Sequence, residues 1–215
     1  MELWNNKASF DFFMEQKYDK DIKILEIWCN IWTLNNMIYS SWYKNILWLD
    51  VNKNAINIWK DKYKNIKDNI NYYDWNKIPF TENSFDLIIS FDVIEHIPDL
   101  NYHLKEVNRV LKKWWTYLWQ TPNKITNIPW EIINNKSLFK WKKYHCSLQT
   151  LKSLEKNFTK NWFKKIEIKK INLENDYNIK KVKNKLWLLW ILLLKIINKM
   201  PLYLQTNFWF NFIKK

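Results

Sequence analysis

The chain has no glycine at all. An average chain of 215 residues would hold roughly 15, yet the count is zero while tryptophan reaches 16. Glycine supplies the positive-φ positions of turns and helix ends, so its absence argues against an ordinary α/β chain read at face value. Alanine occurs twice, at Ala8 and Ala55, and Arg109 is the only arginine. Cysteine occurs twice, at Cys29 and Cys146, with no CxxC pair. That excludes a disulfide framework and points to a reducing cytoplasm. No basic segment followed by a long apolar run opens the sequence, so no signal peptide is expected. The longest apolar run, Leu186 to Leu194, is broken by Lys195 and is short of the roughly 20 residues that span a bilayer.

What replaces glycine is informative. Tryptophan stands where turns want glycine, as in "SSWYKN", "LKKWWTY" and "TKNWFKK". Lysine, asparagine and isoleucine dominate, the bias of a gene poor in G and C. Some genetic codes read UGA as glycine and others as tryptophan. The expectation is that most glycines of the natural protein are written here as tryptophan, with Trp4, Trp119, Trp130 and Trp141 as candidates for genuine tryptophan. The net charge of +14 would ordinarily raise nucleic acid or an anionic membrane as partner. Part of it reflects the same codon bias.

Short apolar runs alternate with helical stretches, which predicts βα units around a parallel sheet. Strands are expected at 22–28, 45–51, 69–75, 84–94, 114–123, 164–172 and 207–215. Helices are expected at 33–41, 52–65 with Asn52 or Asn54 as N-cap, 100–113, and 147–163 with Ser147 as cap. Pro122 ends the fifth strand. Acids close successive strands: Glu26 near the end of the first, Asp50 at the end of the second, Asp74 at the end of the third. Ligands bind at the carboxyl edge of such sheets.

With glycine at the suspect positions, residues 24–33 become I-L-E-I-G-C-N-I-G-T. This resembles the first motif of the class I S-adenosylmethionine-dependent methyltransferases, and the small-molecule, ubiquinone-biosynthesis-like members in particular. Asn30 departs from the middle glycine of that motif. "LWLDVN", "YYDWNKIPF", "FTENSFDLIISFDVIEHIPD", "RVLKKWWTYLWQTPN" and "KNWFKKIEI" follow in the family's order, so the resemblance covers roughly residues 20 to 172. It implies a Rossmann-like doubly wound, seven-stranded, mostly parallel sheet with helices on both faces. It also implies one domain over 1–215: an N-terminal helix (1–20), a cofactor-binding core (21–172), a basic and apolar helical insertion (173–206) and a last strand (207–215).

The cofactor implied is S-adenosyl-L-methionine. The residues implied to bind it are Glu26, Trp28, Cys29, Asn30, Trp32, Asp50, Val51, Asp74, Trp75 and Phe91. Glu26 would face the amino group, Asp50 the ribose hydroxyls and Asp74 the adenine amine beside Trp75. A general base is needed only for a hydroxyl-like acceptor. His96 in "IEHIP" is the candidate, and packing in the following loop is the other reading of it. His145 has a weaker case, and His103 is expected on the surface of its helix. No spacing of His, Cys and Asp suggests a metal.

The expected function is methyl transfer to a small-molecule or lipid-like acceptor. An RNA- or DNA-modifying methyltransferase is the alternative raised by charge, though no D/N/S-P-P-Y/F/W string follows strand four and no cysteine stands there. The second alternative is a non-catalytic fold whose turn, filled by Trp28 and Trp32, excludes the cofactor. Residues 180–200, "KKVKNKLWLLWILLLKIINKM", have two readings: a helix packed on the domain, or one lying on an anionic membrane with Lys180, Lys181, Lys183 and Lys185 at the headgroups. The second would put the protein at the inner membrane face.

Overall fold

A computed structural model describes residues 2–27, 33–64, 66–143, 145–170, 192 and 195–215. The strands are β1 (Ile24–Ile27), β2 (Ile46–Asp50), β3 (Ile70–Tyr72), β4 (Phe85–Phe91), β5 (Leu111–Pro122), β6 (Phe163–Lys169) and β7 (Asn207–Lys214). The helices are α1 (Glu2–Glu15), α2 (Thr33–Ser40), α3 (Lys53–Lys62), α4 (Leu100–Val110), α5 (Lys124–Asn135) and α6 (Leu151–Lys160). The strands form one sheet in the order β3-β2-β1-β4-β5-β7-β6. All neighbours are parallel except β7, which runs antiparallel to both β5 and β6. The predicted doubly wound sheet is therefore the observed one. Chain order reverses between β1 and β4, so a crevice opens beyond their carboxyl ends.

Strand alternation divides the core. Leu25, Ile27, Leu49, Ile88 and Tyr117 point to one face, where α4 and α6 cover them. Ile24, Ile46, Trp48, Leu87 and Ile89 point to the other, under α1, α2 and α3. Leu100, Leu104, Val107 and Val110 of α4 are all buried. Each such side chain contributes about 1.5–3 kcal/mol on leaving water.

Several local expectations change. Asn52 is the α3 cap, accepting from the N–H groups of Asn54 and Ala55. For α6 the cap is Thr150 rather than Ser147. Thr150 and Ser153 bond reciprocally across the first turn, and this capping box delays the helix start to Leu151. The pattern assigned no element to residues 124–146, yet α5 occupies 124–135. Pro129 within it argues against a helix in the sequence, but the Asn123 side chain caps its start by accepting from Ile125 N–H. His103 is not on the surface: it is fully buried beside the Ser90–Tyr117 hydroxyl pair, 3.3 Å from the Tyr117 hydroxyl. Burial pushes its pKa down to about 3, so it is a neutral core residue. Period 3.6 puts it on the same stripe as Val107, which the sequence reading overlooked.

The backbone bears on the missing glycines. Among the described residues, positive φ occurs at Lys17, Trp42, Trp75, Asn83, Asp92, Trp114, Lys136 and Trp162. Half are tryptophan, where chance would place fewer than one of these eight, given 16 in 215. A bulky L-residue is a genuine outlier there. The sites are those where glycine has a job. Trp42 follows the end of α2 and Trp162 the end of α6, with φ of 72° and 66°. Their N–H groups return to Tyr39 O and Thr159 O, as left-handed helix ends require. Trp75, at 68°, sits inside a turn held by the Asp74 side chain. Trp114, at 67°, lies where β5 bulges between its pairing of Leu111 with Phe85 and of Thr116 with Leu87. Trp119 differs: it is fully buried and stacked on Phe210 at 3.9 Å and Phe158 at 4.4 Å.

Candidate active site

Glu26 lies on β1 between Trp48 of β2 and Ile89 of β4 in register. Alternation turns it to the α2 side with Ile24, so its carboxylate is buried among the apolar side chains of that layer. Asn35 of α2 reaches it. With its amide nitrogen turned toward Glu26, it donates to both carboxylate oxygens at 2.6 and 2.7 Å. Burial pushes the Glu26 pKa up to about 8; a bond from the Trp48 side chain partly offsets this, and the nearby Asp50 charge adds to it.

Asp50 is the last residue of β2 and is almost wholly buried. Its Oδ1 accepts from the N–H of Asn52 at 2.6 Å, and its carbonyl accepts from the N–H of Tyr73 at 2.9 Å. The tip of β2 is thus tied to the segment leaving β3. Val51 follows, half-buried against the α4-side core. Asp74 was expected at the end of strand three. β3 stops at Tyr72, and Asp74 stands two residues further in an exposed turn. Its Oδ1 accepts from Asn76 N–H and its Oδ2 from the Asn76 amide, each at 3.0 Å. These bonds hold its pKa below the usual carboxylate range. Trp75 packs edge-on to Tyr73 with ring centroids 5.6 Å apart. Phe91 ends β4, half-buried, on the α2 side.

Glu26, Asp50, Val51 and Phe91 therefore lie at the carboxyl ends of β1, β2 and β4, with Asp74 and Trp75 in the segment that follows β3. Trp28, Cys29, Asn30 and Trp32 lie outside the described residues, as does most of 180–200. Among the described residues, no helix is long and apolar enough to cross a membrane.

Beyond β4 the same edge carries a second group. A 3₁₀ turn, Ile94–His96, places Glu95 inward and His96 at the half-buried rim. Glu95 Oε2 accepts from the Thr121 hydroxyl at 2.8 Å, and Oε1 is 3.9 Å from His96 Nε2. Burial, reinforced by the Asp92 charge, raises the Glu95 pKa well above the usual range. His145 arrives from 49 residues along the chain, with ring centroids of His96 and His145 5.1 Å apart. Burial, then proximity to His96, lowers the His145 pKa, so its imidazole is neutral at pH 7. Two bonds fix this approach: Ser147 N–H donates to Glu95 O at 2.8 Å, and the Cys146 thiol to His96 O at 3.3 Å. The sequence reading weighed His96 and His145 separately. It missed Glu95 and Thr121, whose only signal was adjacency to His96 and to the end of strand five.

A third feature was also missed. The lone arginine, Arg109 on α4, forms a fork onto Glu106 at 2.8 and 2.7 Å, and donates to Phe80 O and Ile78 O at 2.7 and 2.9 Å. Glu106 in turn accepts from Ile78 N–H at 2.9 Å. The pair clamps the loop that follows Asp74 and Trp75.

Comparison with known proteins agrees with this geometry. Residues 33–114 match the family model described as a methyltransferase domain. The chain is 30% identical over 120 residues to an uncharacterized protein of Methanocaldococcus jannaschii, covering 56% of this chain and 49% of that protein. It is 30% identical over 93 residues to demethylmenaquinone methyltransferase of Staphylococcus haemolyticus, covering 42% of this chain and 39% of that one. It thus spans half or less of these curated relatives' length. The fold matches that of an S-adenosylmethionine-dependent methyltransferase from Mesorhizobium loti with a TM-score of 0.67 at 11% identity, over 98% of this chain and 100% of that one. Residues 33–114 thus match a methyltransferase domain, and the strand order with its antiparallel β7 belongs to a fold shared with that solved methyltransferase.

Proposed function

We propose that the protein transfers a methyl group from S-adenosyl-L-methionine to a small-molecule acceptor. The observation that carries this reading is the set of three carboxylates, Glu26, Asp50 and Asp74, at the tips of β1, β2 and the segment after β3. Their donor set fits this nucleoside, which offers an ammonium, ribose hydroxyls and an exocyclic amine but no phosphate. Among the described residues no cation stands against the buried Glu26, and the amino group of the cofactor would complete it. Asp50 accepts the ribose hydroxyls, and Asp74 the adenine amine, with Val51 and Phe91 as the apolar lining and position 75 bordering the ring. The turn 28–32 would supply bare backbone beside the ligand.

The bound cofactor supplies an electrophilic methyl on a sulfonium that leaves easily. The protein's part is to hold the acceptor in line and keep water out. The edge beyond β4 suits the acceptor, because His96 and His145 stand there with a neutral imidazole to receive a proton from a hydroxyl. A lipid-like acceptor remains within the same proposal, tested by offering the acceptor in vesicles.

Titration calorimetry with S-adenosylmethionine tests the reading, on the chain as written and on one with glycine at 28 and 32. The glycine form is expected to bind, and Asp50→Asn in that form to weaken binding tenfold or more. Failure of both forms to bind overturns the reading. Tight binding by the chain as written overturns only the account of the turn.

A further inference from the structure

We propose that Glu95, His96 and His145 form a binding site for a divalent transition-metal cation at the carboxyl edge of β4. Each offers a ligand atom, and these atoms lie within 4.8 Å of one another. A tetrahedral site with bonds of about 2.0–2.1 Å needs ligand atoms about 3.3 Å apart. Closure therefore takes movements of about 1–1.5 Å of the ligand atoms. Oε1 of Glu95 and Nε2 of His96, at 3.9 Å, are already near that spacing.

Three features make this a built site rather than a chance meeting. First, the backbones that bear the ligands are cross-linked. Ser147 N–H bonds Glu95 O, and the Cys146 thiol bonds His96 O, so His145 is held against the 3₁₀ turn. Second, Thr121 at the end of β5 donates to Glu95 Oε2 at 2.8 Å. That orients the carboxylate and leaves Oε1 toward the imidazoles, as an outer partner of a metal ligand does. Third, His145 Nδ1 is buried and lacks a hydrogen-bond partner among the described residues. A buried imidazole nitrogen with no partner calls for one, and a cation would meet that need.

The ligand set names the class of ion. Two imidazoles and one carboxylate suit Zn²⁺, Co²⁺, Fe²⁺ or Mn²⁺, whereas Mg²⁺ and Ca²⁺ favour all-oxygen sites. Three protein ligands leave a position open, the pattern of reactive rather than purely structural sites. At the rim, that position would face an arriving acceptor and lower the pKa of its hydroxyl. The imidazoles would then be ligands; the cation would stabilise the acceptor's alkoxide, and the proton would pass to solvent. The binding claim stands apart from the methyl-transfer reading, because the test below uses no cofactor and no acceptor.

The test is to titrate Co²⁺ into the purified full chain, free of any polyhistidine tag, and to follow the visible d–d absorption. One equivalent is expected to bind, Zn²⁺ to displace it, and excess Mg²⁺ to leave it in place. His145→Asn and His96→Asn should each weaken binding more than tenfold. Thr121→Val should weaken it about tenfold, the usual cost of losing an outer partner. On the unaltered chain, bound Co²⁺ should shift the proton signals of two of the three imidazoles, a reading that needs no variant to fold. No Co²⁺ absorption, binding indifferent to His145→Asn, or three unshifted imidazoles would each overturn the proposal.

Discussion

Replacing Trp42, Trp75, Trp114 and Trp162 by glycine should stabilise the chain. Each holds a left-handed backbone, with φ between 66° and 72°. An L-residue with a Cβ loses about 1–2 kcal/mol there. Glycine gives back about 0.5–1 kcal/mol through the greater freedom of its unfolded state. The net gain is therefore about 0.5–1 kcal/mol per site, or about 2–4 kcal/mol for all four if they act independently. Three of the side chains contribute little in return, while Trp75, half-buried against Tyr73, gives up some packing and gains least. Trp42, Trp114 and Trp162 are 74%, 63% and 71% exposed. Lys44 and Lys113 sit over the Trp42 and Trp114 rings at 5.6 and 5.0 Å, and losing these contacts trims the gain at those two sites. Trp162 should show it most cleanly.

For a chain of this size about 1 kcal/mol moves the melting temperature by about 2–4 °C, so the quadruple variant should melt roughly 5–15 °C higher by calorimetry. Trp119→Gly is the control. Its ring is stacked between Phe158 and Phe210, and removing it should cost about 3–5 kcal/mol. A quadruple variant no more stable than its parent refutes the reasoning, as does a Trp119→Gly chain that gains stability. The natural gene gives an independent check. UGA codons at 42, 75, 114 and 162 are expected, and UGG at those four would remove the account of their origin.

Three further outcomes follow from the site. Burial raises the Glu26 pKa to about 8, so below that pH the unliganded protein holds a proton there that a cationic amine must displace. S-adenosylmethionine affinity, by calorimetry on the binding-competent chain, should rise up to tenfold per pH unit from 6 toward 8 and then stop as the ligand's own amine loses its charge. Glu26→Gln should bind more weakly and without that slope; an unchanged slope would show that Glu26 does not meet the amine. The same group has the opposite effect on the unliganded fold. A carboxyl raised from 4.5 to about 8 favours the folded state below pH 4.5, and up to about 5 kcal/mol of that is lost as pH climbs to 8. Arg109→Lys should cost about 2–3 kcal/mol, since an ammonium cannot make the fork onto Glu106 and also reach two carbonyls. Denaturant unfolding measures it, and a loss below 0.5 kcal/mol, on the scale of an exposed pair, would contradict the clamp.

The sheet was legible because strands in a parallel core announce themselves as apolar runs ending in turns. "NILWLDV" folds as read, "SFDLIISFDVI" is a strand only as far as Phe91 before a 3₁₀ turn takes Ile94, and the strand-tip acids fall at the expected edge, Asp74 two residues late. Helix ends were less legible. α6 starts at a capping box that the nearby Ser147 obscured, and α5 contains Pro129, which masks a helix whose start depends on Asn123. The histidines were misjudged for a different reason. Whether His103 faces water depends on which stripe of α4 meets the sheet, and His145 meets His96 only through the fold. Contacts across 50 residues leave no mark in local spacing, so Glu95, His96 and His145 could not be joined from sequence.

Glu26 and Arg109 show what selection of a site looks like against a biased composition. In a chain that uses lysine for every other cationic side chain of this kind, the one arginine sits where a planar fork must satisfy a carboxylate and two carbonyls at once. Its clamp bears on residues 78–80, just past Asp74 and Trp75. Glu26 is the reverse case, a carboxyl placed where burial works against its charge and Asp50 adds to the difficulty. Asn35 meets both of its oxygens with dipoles rather than with a cation. An apolar side chain would fill that layer at less cost to the unliganded fold. The position makes physical sense if a positive charge arrives from outside and completes it, which is what the ammonium end of S-adenosylmethionine would do at the β1/β4 reversal.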